Sequence, residues 1–201
     1  MARAKNSKTS SGTRPGQLRI IGGRNRGRRL PIPDQAGLRP TADRVRETLF
    51  NWLAPVMPGA RCLDLFAGSG ALGLEADSRG AGAVVLVECN ALVARQLLAN
   101  VRTLGAEGVT VIAADALTWL AGPVSPFNLV FLDPPFADGL LGPACALLAG
   151  RGWLAPGARV YLETGDHGGF PTLPDGWELI REQTAGQVRY GLVLVPAPGG
   201  T

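Results

Sequence analysis

Residues 61–73 read RCLDLFAGSGALG, an apolar segment that carries an acid and runs into three closely spaced glycines. The apolar start is typical of a buried strand, and ALGLEADSRG, which begins at Ala71, has a helical pattern. Glycines allow a tight turn and let a ligand approach the backbone at the start of a helix. The stretch therefore predicts a strand, a turn and a helix, with a ligand site at the turn.

Downstream of this stretch, short apolar runs alternate with helical segments. The further predicted strands are AVVLVE (83–88), VTVIAAD (109–115), FNLVFLD (127–133) and ARVYLE (158–163). Two later runs, WELIREQTA and VRYGLVLV, are joined near Gly186 and predict an antiparallel hairpin. Alternation of this kind is typical of a parallel sheet that is covered by helices on both faces. We therefore expect an α/β, doubly wound, mostly parallel seven-stranded sheet that ends in a C-terminal antiparallel hairpin.

The N-terminal part predicts a small appendage made of a hairpin and a helix. Residues 1–16 are polar, without a period, and are expected to be disordered. LRII and RRLPIP flank GGRNRG and predict a hairpin with an arginine-rich tip. We expect an N-terminal RNA-binding unit over residues 17–56 and a larger catalytic domain over residues 57–201.

The segment RPTADRVRETLFNWLAP predicts the helix of the appendage, because its apolar residues recur every four positions. Thr41 follows a proline and is expected to cap the helix N-terminus. Arg44 and Arg46 are expected on the polar face of the helix.

Basic residues are concentrated at the N-terminus. Residues 1–46 contain twelve Lys and Arg against two acids, a net charge of +10, whereas the other 155 residues carry eight Arg against fourteen acids, a net charge of −6. A polyanion that bound the N-terminal part would release counterions. The charge division therefore indicates a nucleic-acid partner for the appendage.

Several classes of protein are disfavoured by composition. The three cysteines form no CxxC pair and there is one histidine, so we expect reduced thiols and no metal site. No apolar run is long enough to cross a bilayer, and the basic N-terminus lacks the apolar core of a signal peptide. We expect a cytoplasmic protein, and a monomer because there are no heptads.

Four predicted strands end in residues that can bind a ligand, and in open α/β sheets ligands bind beyond the carboxyl ends of the strands. Gly68, Gly70 and Gly73 match GxGxxG, so a nicotinamide cofactor is one interpretation. Asp64 favours a cationic ligand instead, because a carboxylate would repel a pyrophosphate. Glu88 can accept hydrogen bonds from both ribose hydroxyls. Asp115 is either the N-cap of the next helix or a contact to an adenine edge.

The tetrapeptide Asp133-Pro134-Pro135-Phe136 is the most specific local signal. Two prolines fix the backbone and remove two donors, which leaves carbonyl oxygens free to accept. Asp133 adds another acceptor, and Phe136 offers a flat surface on which an unstacked base can lie. An exocyclic base amine needs this combination, because acceptors that bind its protons help to localise its lone pair on nitrogen.

The tetrapeptide beside a glycine-rich first loop resembles the amino-methyltransferases. LRIIGGRNRGRRLPIP, GLRPTADRVRETLFNWLAP, CLDLFAGSGALGLEA, VFLDPPF and AGQVRYGL together resemble the bacterial 16S rRNA guanine-N2 methyltransferase family, from about residue 17 to residue 195. The resemblance implies a Rossmann-like methyltransferase fold, S-adenosylmethionine as the methyl donor, and guanine 966 of 16S rRNA, free or in a small-subunit particle, as the acceptor. One departure is Asn90, where many relatives have an acid.

Site residues follow from these motifs and from the resemblance. The expected catalytic residues are Asp133, Pro134, Pro135 and Phe136. The expected cofactor-binding residues are Asp64, Phe66, Gly68, Ser69, Gly70, Glu88, Cys89, Asp115 and Ala116. The expected RNA-binding residues are Arg24, Arg26, Arg28, Arg29, Arg39 and Arg44.

Three alternatives stay open from the sequence. The tetrapeptide alone cannot choose between base amines, so an adenine-N6 methyltransferase on DNA or RNA is the nearest rival. A nicotinamide-dependent oxidoreductase would use the same glycines. A non-catalytic RNA-binding module would keep the fold, although intact Asp64, Glu88 and Asp133 argue against it.

Overall fold

The computed structural model describes residues 16–35, 41–165 and 169–197. Its centre is a seven-stranded sheet with the order β5-β4-β3-β6-β7-β9-β8. The strands are β3 (Arg61–Asp64), β4 (Ala83–Glu88), β5 (Val109–Ala113), β6 (Phe127–Leu132), β7 (Leu154–Gly165), β8 (Glu178–Ala185) and β9 (Val188–Leu194). The first five are parallel to one another, and β9 is antiparallel to both β7 and β8. The predicted α/β fold with a C-terminal antiparallel hairpin is confirmed.

The helices that connect the strands are α2 (Gly73–Ser78), α3 (Ala91–Leu104), α4 (Ala116–Leu120) and α5 (Leu141–Gly150). The strand order reverses between β3 and β6, so helices cover both faces of the sheet. One apolar cluster contains Leu63, Leu132 and Trp153, and the cluster that includes Phe131 contains most of the N-terminal apolar residues. Among the described residues, no helix has both the length and the apolar character needed to span a bilayer.

The N-terminal elements are the hairpin β1 (Gly16–Arg19) and β2 (Arg29–Ile32), and the helix α1 (Asp43–Leu53). Leu18 and Leu30 of the hairpin are fully buried in the same apolar cluster as Phe50 of α1 and Phe131 of the sheet. The rings of Phe50 and Phe131 lie 6.0 Å apart. The predicted hairpin and helix are therefore present, and they share a core with the sheet.

Two expectations for α1 are wrong. Thr41 does not cap the helix, because α1 begins at Asp43 after Ala42 and has no side-chain cap. Arg46 does not lie on a solvated face: its side chain is 1% exposed, whereas Arg44 is exposed. The four-residue spacing of the apolar residues did not show on which side of this short helix each arginine lies. An arginine is expected on the solvated side, but Arg46 is buried because it pairs with a buried acid.

Arg46 is buried because it meets acceptors from three elements. Its guanidinium pairs with Glu75 of α2, which is fully buried, at 3.5 Å, and also with Asp43 of its own helix. It donates to the carbonyl of Arg19 at 3.0 Å and to the carbonyl of Thr41 at 3.2 Å. A buried ion pair of this kind is tolerated only when its remaining hydrogen-bonding groups are satisfied.

Removing the charge of Arg46 should destabilise the protein. In Arg46→Met the stem still fills its site and Glu75 keeps Arg79, but Glu75 and Asp43 each lose one charged partner and two carbonyls lose their donor. We expect the free energy of unfolding to fall by about 3 kcal/mol. Arg44→Met on the exposed side of the same helix should change it by less than about 0.5 kcal/mol. Urea unfolding of both variants tests this, and equal stabilities would show that the pair is dispensable.

Candidate active site

The glycine turn between β3 and α2 has the backbone that the sequence requires. Gly68 and Gly70 have φ angles of 50° and 80°, in the left-handed region that favours glycine. A Cβ on Gly70 would also lie 2.7 Å from Leu97 Cδ2. The turn is therefore restricted to glycine by both conformation and space, and its amides lie at the carboxyl edge of the sheet.

Asp64 lies beneath this turn. It is 1% exposed, and its Oδ2 accepts the backbone N–H of Gly73 at 2.9 Å. Burial raises the pKa of Asp64 to about 7; the Gly73 N–H opposes that rise, and the charges of Asp133 and Glu88 add to it. Asp64 thus fixes the start of α2 directly, and it belongs to a group of acids at one edge.

Glu88 connects the glycine turn to α3. Its Oε2 accepts the N–H of Gly68 at 2.9 Å, and its Oε1 accepts the N–H of Asn90 at 2.7 Å. The carboxylate is half-buried. Asn90 in turn caps α3, because its Oδ1 accepts from the N–H groups of Leu92 and Val93. Asn90 therefore acts as the N-cap of α3, a role that an amide and an acid fill about equally well.

Asp115 caps α4, as one of its two interpretations predicted. Its Oδ1 accepts the N–H of Thr118 at 2.8 Å, and this bond lowers the pKa of the exposed carboxyl. Around the same edge, Cys89 is exposed, whereas Ser69 and Ala116 are buried. These residues lie at one edge of the sheet, and three of their carboxylates, those of Asp64, Glu88 and Asp115, accept hydrogen bonds from backbone N–H groups.

The tetrapeptide follows β6 directly. Leu132 ends the strand, Pro134 is buried, and Phe136 begins a single 3₁₀ turn, Phe136–Asp138. The ring of Phe136 is 51% exposed. The ring lies beside Gly165 of β7, where a Cβ would be in ordinary van der Waals contact with it at 3.5 Å. Phe136 is thus exposed beside a buried proline, Pro134, and a half-buried acid, Asp133.

Asp133 has two neighbours that the sequence did not reveal. The hydroxyl of Thr41 donates to Asp133 Oδ2 at 3.2 Å. Leu132 is in register with Leu162 of β7, so Glu163 follows that strand position beside Asp133. Glu163 is 5% exposed and accepts a 2.6 Å hydrogen bond from the hydroxyl of Tyr161. Its place at the end of ARVYLE was a usable signal, because strand-end acids gather at one edge.

The pKa values of these two acids are shifted upward. Burial raises the pKa of Asp133 above its ordinary value, and the hydrogen bond from Thr41 opposes the rise. Burial also raises the pKa of Glu163, and the nearby charge of Asp133 adds to this shift. Ionising both of two neighbouring carboxyls that are shielded from water is unfavourable. The edge is therefore suited to binding groups that carry positive charge or several N–H donors.

The arginines at the hairpin divide into two kinds. Arg24 pairs with buried Asp77 at 2.6 Å, and Arg28 donates to the carbonyl of Thr103 at 3.0 Å. Arg26 and Arg29 are exposed, and their side chains contact no acceptor in the described part of the chain. Arg44 is also exposed, and Arg39 lies outside the described residues. Two of the four hairpin arginines thus hold the hairpin to the larger domain.

The backbone of the hairpin is also held to α2. Asn25 N–H donates to Ser78 Oγ at 2.9 Å, and Arg24 N–H donates to the Ser78 carbonyl at 2.8 Å. A Cβ on Gly23 would lie only 1.8 Å from that carbonyl oxygen. The hairpin is therefore packed closely against the helix that follows the glycine turn.

The groups at the edge of the sheet fit S-adenosylmethionine by their chemistry. Asp64 and Glu88 flank the glycine turn, and carboxylates can accept hydrogen bonds from an amino group and from ribose hydroxyls. Asp64 would repel a pyrophosphate, which disfavours a dinucleotide despite the GxGxxG spacing, whereas Glu88 suits the ribose of any adenosine ligand. Phe136 and Asp133 lie at the neighbouring strand end, where an acceptor base would have to enter.

Comparison with known proteins agrees with this chemistry. Residues 18–194 match the family model described as "Conserved hypothetical protein 95". The chain is 54% identical to ribosomal RNA small subunit methyltransferase D of Escherichia coli, over 92% of this chain and 93% of the relative. It is 47% identical to the protein of the same name from Haemophilus influenzae, over 88% and 93%. A solved structure of a putative methyltransferase from Escherichia coli superimposes with a TM-score of 0.86 at 52% identity, over 90% of this chain and 99% of that one.

Proposed function

This chain belongs to the family of ribosomal RNA small subunit methyltransferase D, and we propose that it transfers a methyl group from S-adenosylmethionine to N2 of guanine 966 in 16S rRNA. The observation that carries the proposal is the position of Asp133 and the two prolines at the end of β6, next to the glycine turn that follows β3. The products would be N2-methylguanine and S-adenosylhomocysteine. Because the proposed substrate is 16S rRNA, we propose that the protein acts in the cytoplasm, and we propose a monomer because the sequence has no heptads.

The base amine must be oriented because its lone pair is delocalised into the ring. Asp133 and the carbonyl of Pro134 can accept its two N–H bonds, which directs the lone pair toward the cofactor side. Phe136 presents an exposed ring on which a flipped guanine can stack. When bound, S-adenosylmethionine supplies an electrophilic methyl group on sulfonium sulfur. Asp133, which would already accept one of these N–H bonds, could then take the proton released when the N–CH₃ bond forms.

The cofactor is proposed to lie over the glycine turn. Glu88 would accept from the ribose hydroxyls, and Asp64 would place its second oxygen near the amino group of the methionine part. Asp115 and Ala116 at the start of α4 and Cys89 after β4 would border the adenine. Phe66, Ser69 and the two left-handed glycines complete the turn. No metal is required, because the methyl group is carried on a sulfonium and a neutral thioether leaves when its C–S bond breaks.

The N-terminal unit of residues 17–56 is proposed to bind RNA. Arg26 and Arg29 are exposed and uncommitted among the described residues, and Arg44 lies on the exposed side of α1. Arg24 and Arg28 contribute charge to the same surface while they hold the hairpin. Because the rest of the chain has a net charge of −6, the positive surface is needed to hold a polyanion.

Removing the carboxylate of Asp133 should stop methyl transfer without preventing the binding of S-adenosylmethionine. Asp133→Ala is expected to lower single-turnover transfer of tritiated methyl to rRNA by about 100-fold or more. Calorimetric affinity for S-adenosylmethionine should stay within a few-fold. Asp138→Ala, an exposed acid in the same loop, is the matched control and should behave as the wild type. Near-normal turnover of Asp133→Ala would refute the role of this carboxylate.

Removing the carboxylate of Glu88 should weaken the binding of S-adenosylmethionine. Each charge-assisted bond to a ribose hydroxyl contributes about 1.5–3 kcal/mol, so Glu88→Ala is expected to lower the affinity for S-adenosylmethionine tenfold or more. Glu107→Ala removes an exposed acid after α3 and should leave that affinity unchanged. Calorimetry measures the Kd of both variants. An unaltered Kd for Glu88→Ala would show that Glu88 does not bind the ribose.

The free hairpin arginines should set the salt dependence of RNA binding. Arg26→Gln with Arg29→Gln is expected to weaken binding of rRNA at low salt and to reduce the slope of log K against log salt by about 1.5, as loss of two phosphate contacts requires. Arg95→Gln with Arg181→Gln removes the same charge from other exposed surfaces and should affect the slope less. Filter binding over a salt series measures both, and equal slopes would place the RNA surface away from the hairpin.

A further inference from the structure

Thr41 is close to α1 in sequence but directs its side chain elsewhere. The first turn of the helix has no side-chain cap, although a threonine two residues before Asp43 could have supplied one. Its hydroxyl donates instead to Asp133 Oδ2, 92 positions along the chain, at 3.2 Å. The N-terminal unit therefore reaches into the proposed catalytic site by one hydrogen bond.

The backbone of Thr41 is itself held in place. Arg46 Nε donates to the Thr41 carbonyl at 3.2 Å, and Arg46 Nη2 donates to the carbonyl of Arg19 at the end of β1. The same guanidinium is paired with Glu75, which also accepts the N–H of Ile21 at 2.9 Å. Thr41 therefore cannot move far without disturbing a buried ion pair that also holds the hairpin.

We propose that Thr41 is a positioning residue for methyl transfer: its hydroxyl fixes the orientation of the Asp133 carboxylate so that the other oxygen faces the base amine. This proposal rests on the proposed function. A carboxylate is free to turn about its terminal torsion, so a donor on one oxygen selects one orientation. In the part of the chain that the structure describes, Thr41 is the side chain that donates to Asp133. Through Arg46, the placement of the hairpin and the orientation of Asp133 depend on each other.

The hydroxyl also stabilises the charged form of Asp133. Other groups that face this carboxyl are Asp64 at the end of β3 and Glu163 and Tyr161 of β7, and none of them is changed by replacing Thr41. Burial raises the pKa of Asp133 and the Thr41 hydrogen bond lowers it, so losing the bond moves the pKa further upward. Because the ionised form is needed to accept from the amine, the acid limb of the rate profile moves to higher pH.

The test compares Thr41→Val, which removes the hydroxyl and keeps the shape, with Thr41→Ser, which keeps the hydroxyl. Thr48→Val is the control, because Thr48 lies on α1, shortly after Thr41, and its hydroxyl donates to the carbonyl of Arg44 instead of to Asp133. Two quantities are measured: kcat for rRNA against pH, and the titration midpoint of the Asp133 carboxyl by carbon NMR in the cofactor-free protein. In Thr41→Val we expect kcat at neutral pH to fall about tenfold or more, with the cofactor Kd within twofold.

The midpoint of Asp133 and the acid limb of kcat should both rise in Thr41→Val and stay at wild-type values in Thr41→Ser and Thr48→Val. A wild-type kcat and midpoint in Thr41→Val would overturn the proposal. So would a Thr41→Ser variant that is as slow as Thr41→Val with an unshifted midpoint, since keeping the hydroxyl would then not preserve the rate. If the wild type transferred no methyl to rRNA, the proposed function would fail, while the midpoints would still decide whether Thr41 acts on Asp133.

Discussion

A single buried guanidinium organises the N-terminal half of the molecule. Arg46 shares the fully buried Glu75 of α2 with Arg79, which pairs with the other carboxylate oxygen at 2.7 Å. The remaining donors of Arg46 go to backbone carbonyls at the end of β1 and just before α1. One side chain therefore joins the hairpin, α1 and the helix that starts at the glycine turn. If Arg46 were lost, Glu75 would keep its pair with Arg79, but Asp43 and two backbone carbonyls would lose their shared donor, which is costly in a buried site.

The second constraint is the parallel sheet, which brings acids from separate strands to one edge. Asp64 and Glu88 end β3 and β4, Asp133 follows β6, and Glu163 lies near the end of β7, two positions before its last residue. Burial raises the pKa values of Asp64, Asp133 and Glu163, so the ionised forms of these acids are unfavourable at this edge when no ligand is bound. A cationic cofactor and a base edge rich in N–H donors would offset that cost. In the proposed reaction the same acids both attract the reactants and orient them.

The sheet and the strand-end acids could be predicted from the sequence because each depends on local patterns. Strand and helix periods, left-handed glycines and Asp133 with its prolines are all readable within about ten residues. The burial of Arg46 could not be predicted, because its cause is Glu75, 29 positions away. Thr41 was assigned to the nearest helix N-terminus for the same reason: a capping residue and a donor to a distant carboxylate look identical in sequence. The pairing of Arg24 with Asp77 likewise needed the folded chain.

The central claim is that the acceptor is the exocyclic amine of a guanine. It is tested most directly by methylating rRNA from cells that lack this protein, using labelled S-adenosylmethionine, and then digesting the RNA to nucleosides. The account predicts that the label is recovered as N2-methylguanosine and maps to guanine 966 of 16S rRNA. Label in N6-methyladenosine would contradict it and assign the edge formed by Asp133 and Phe136 to adenine.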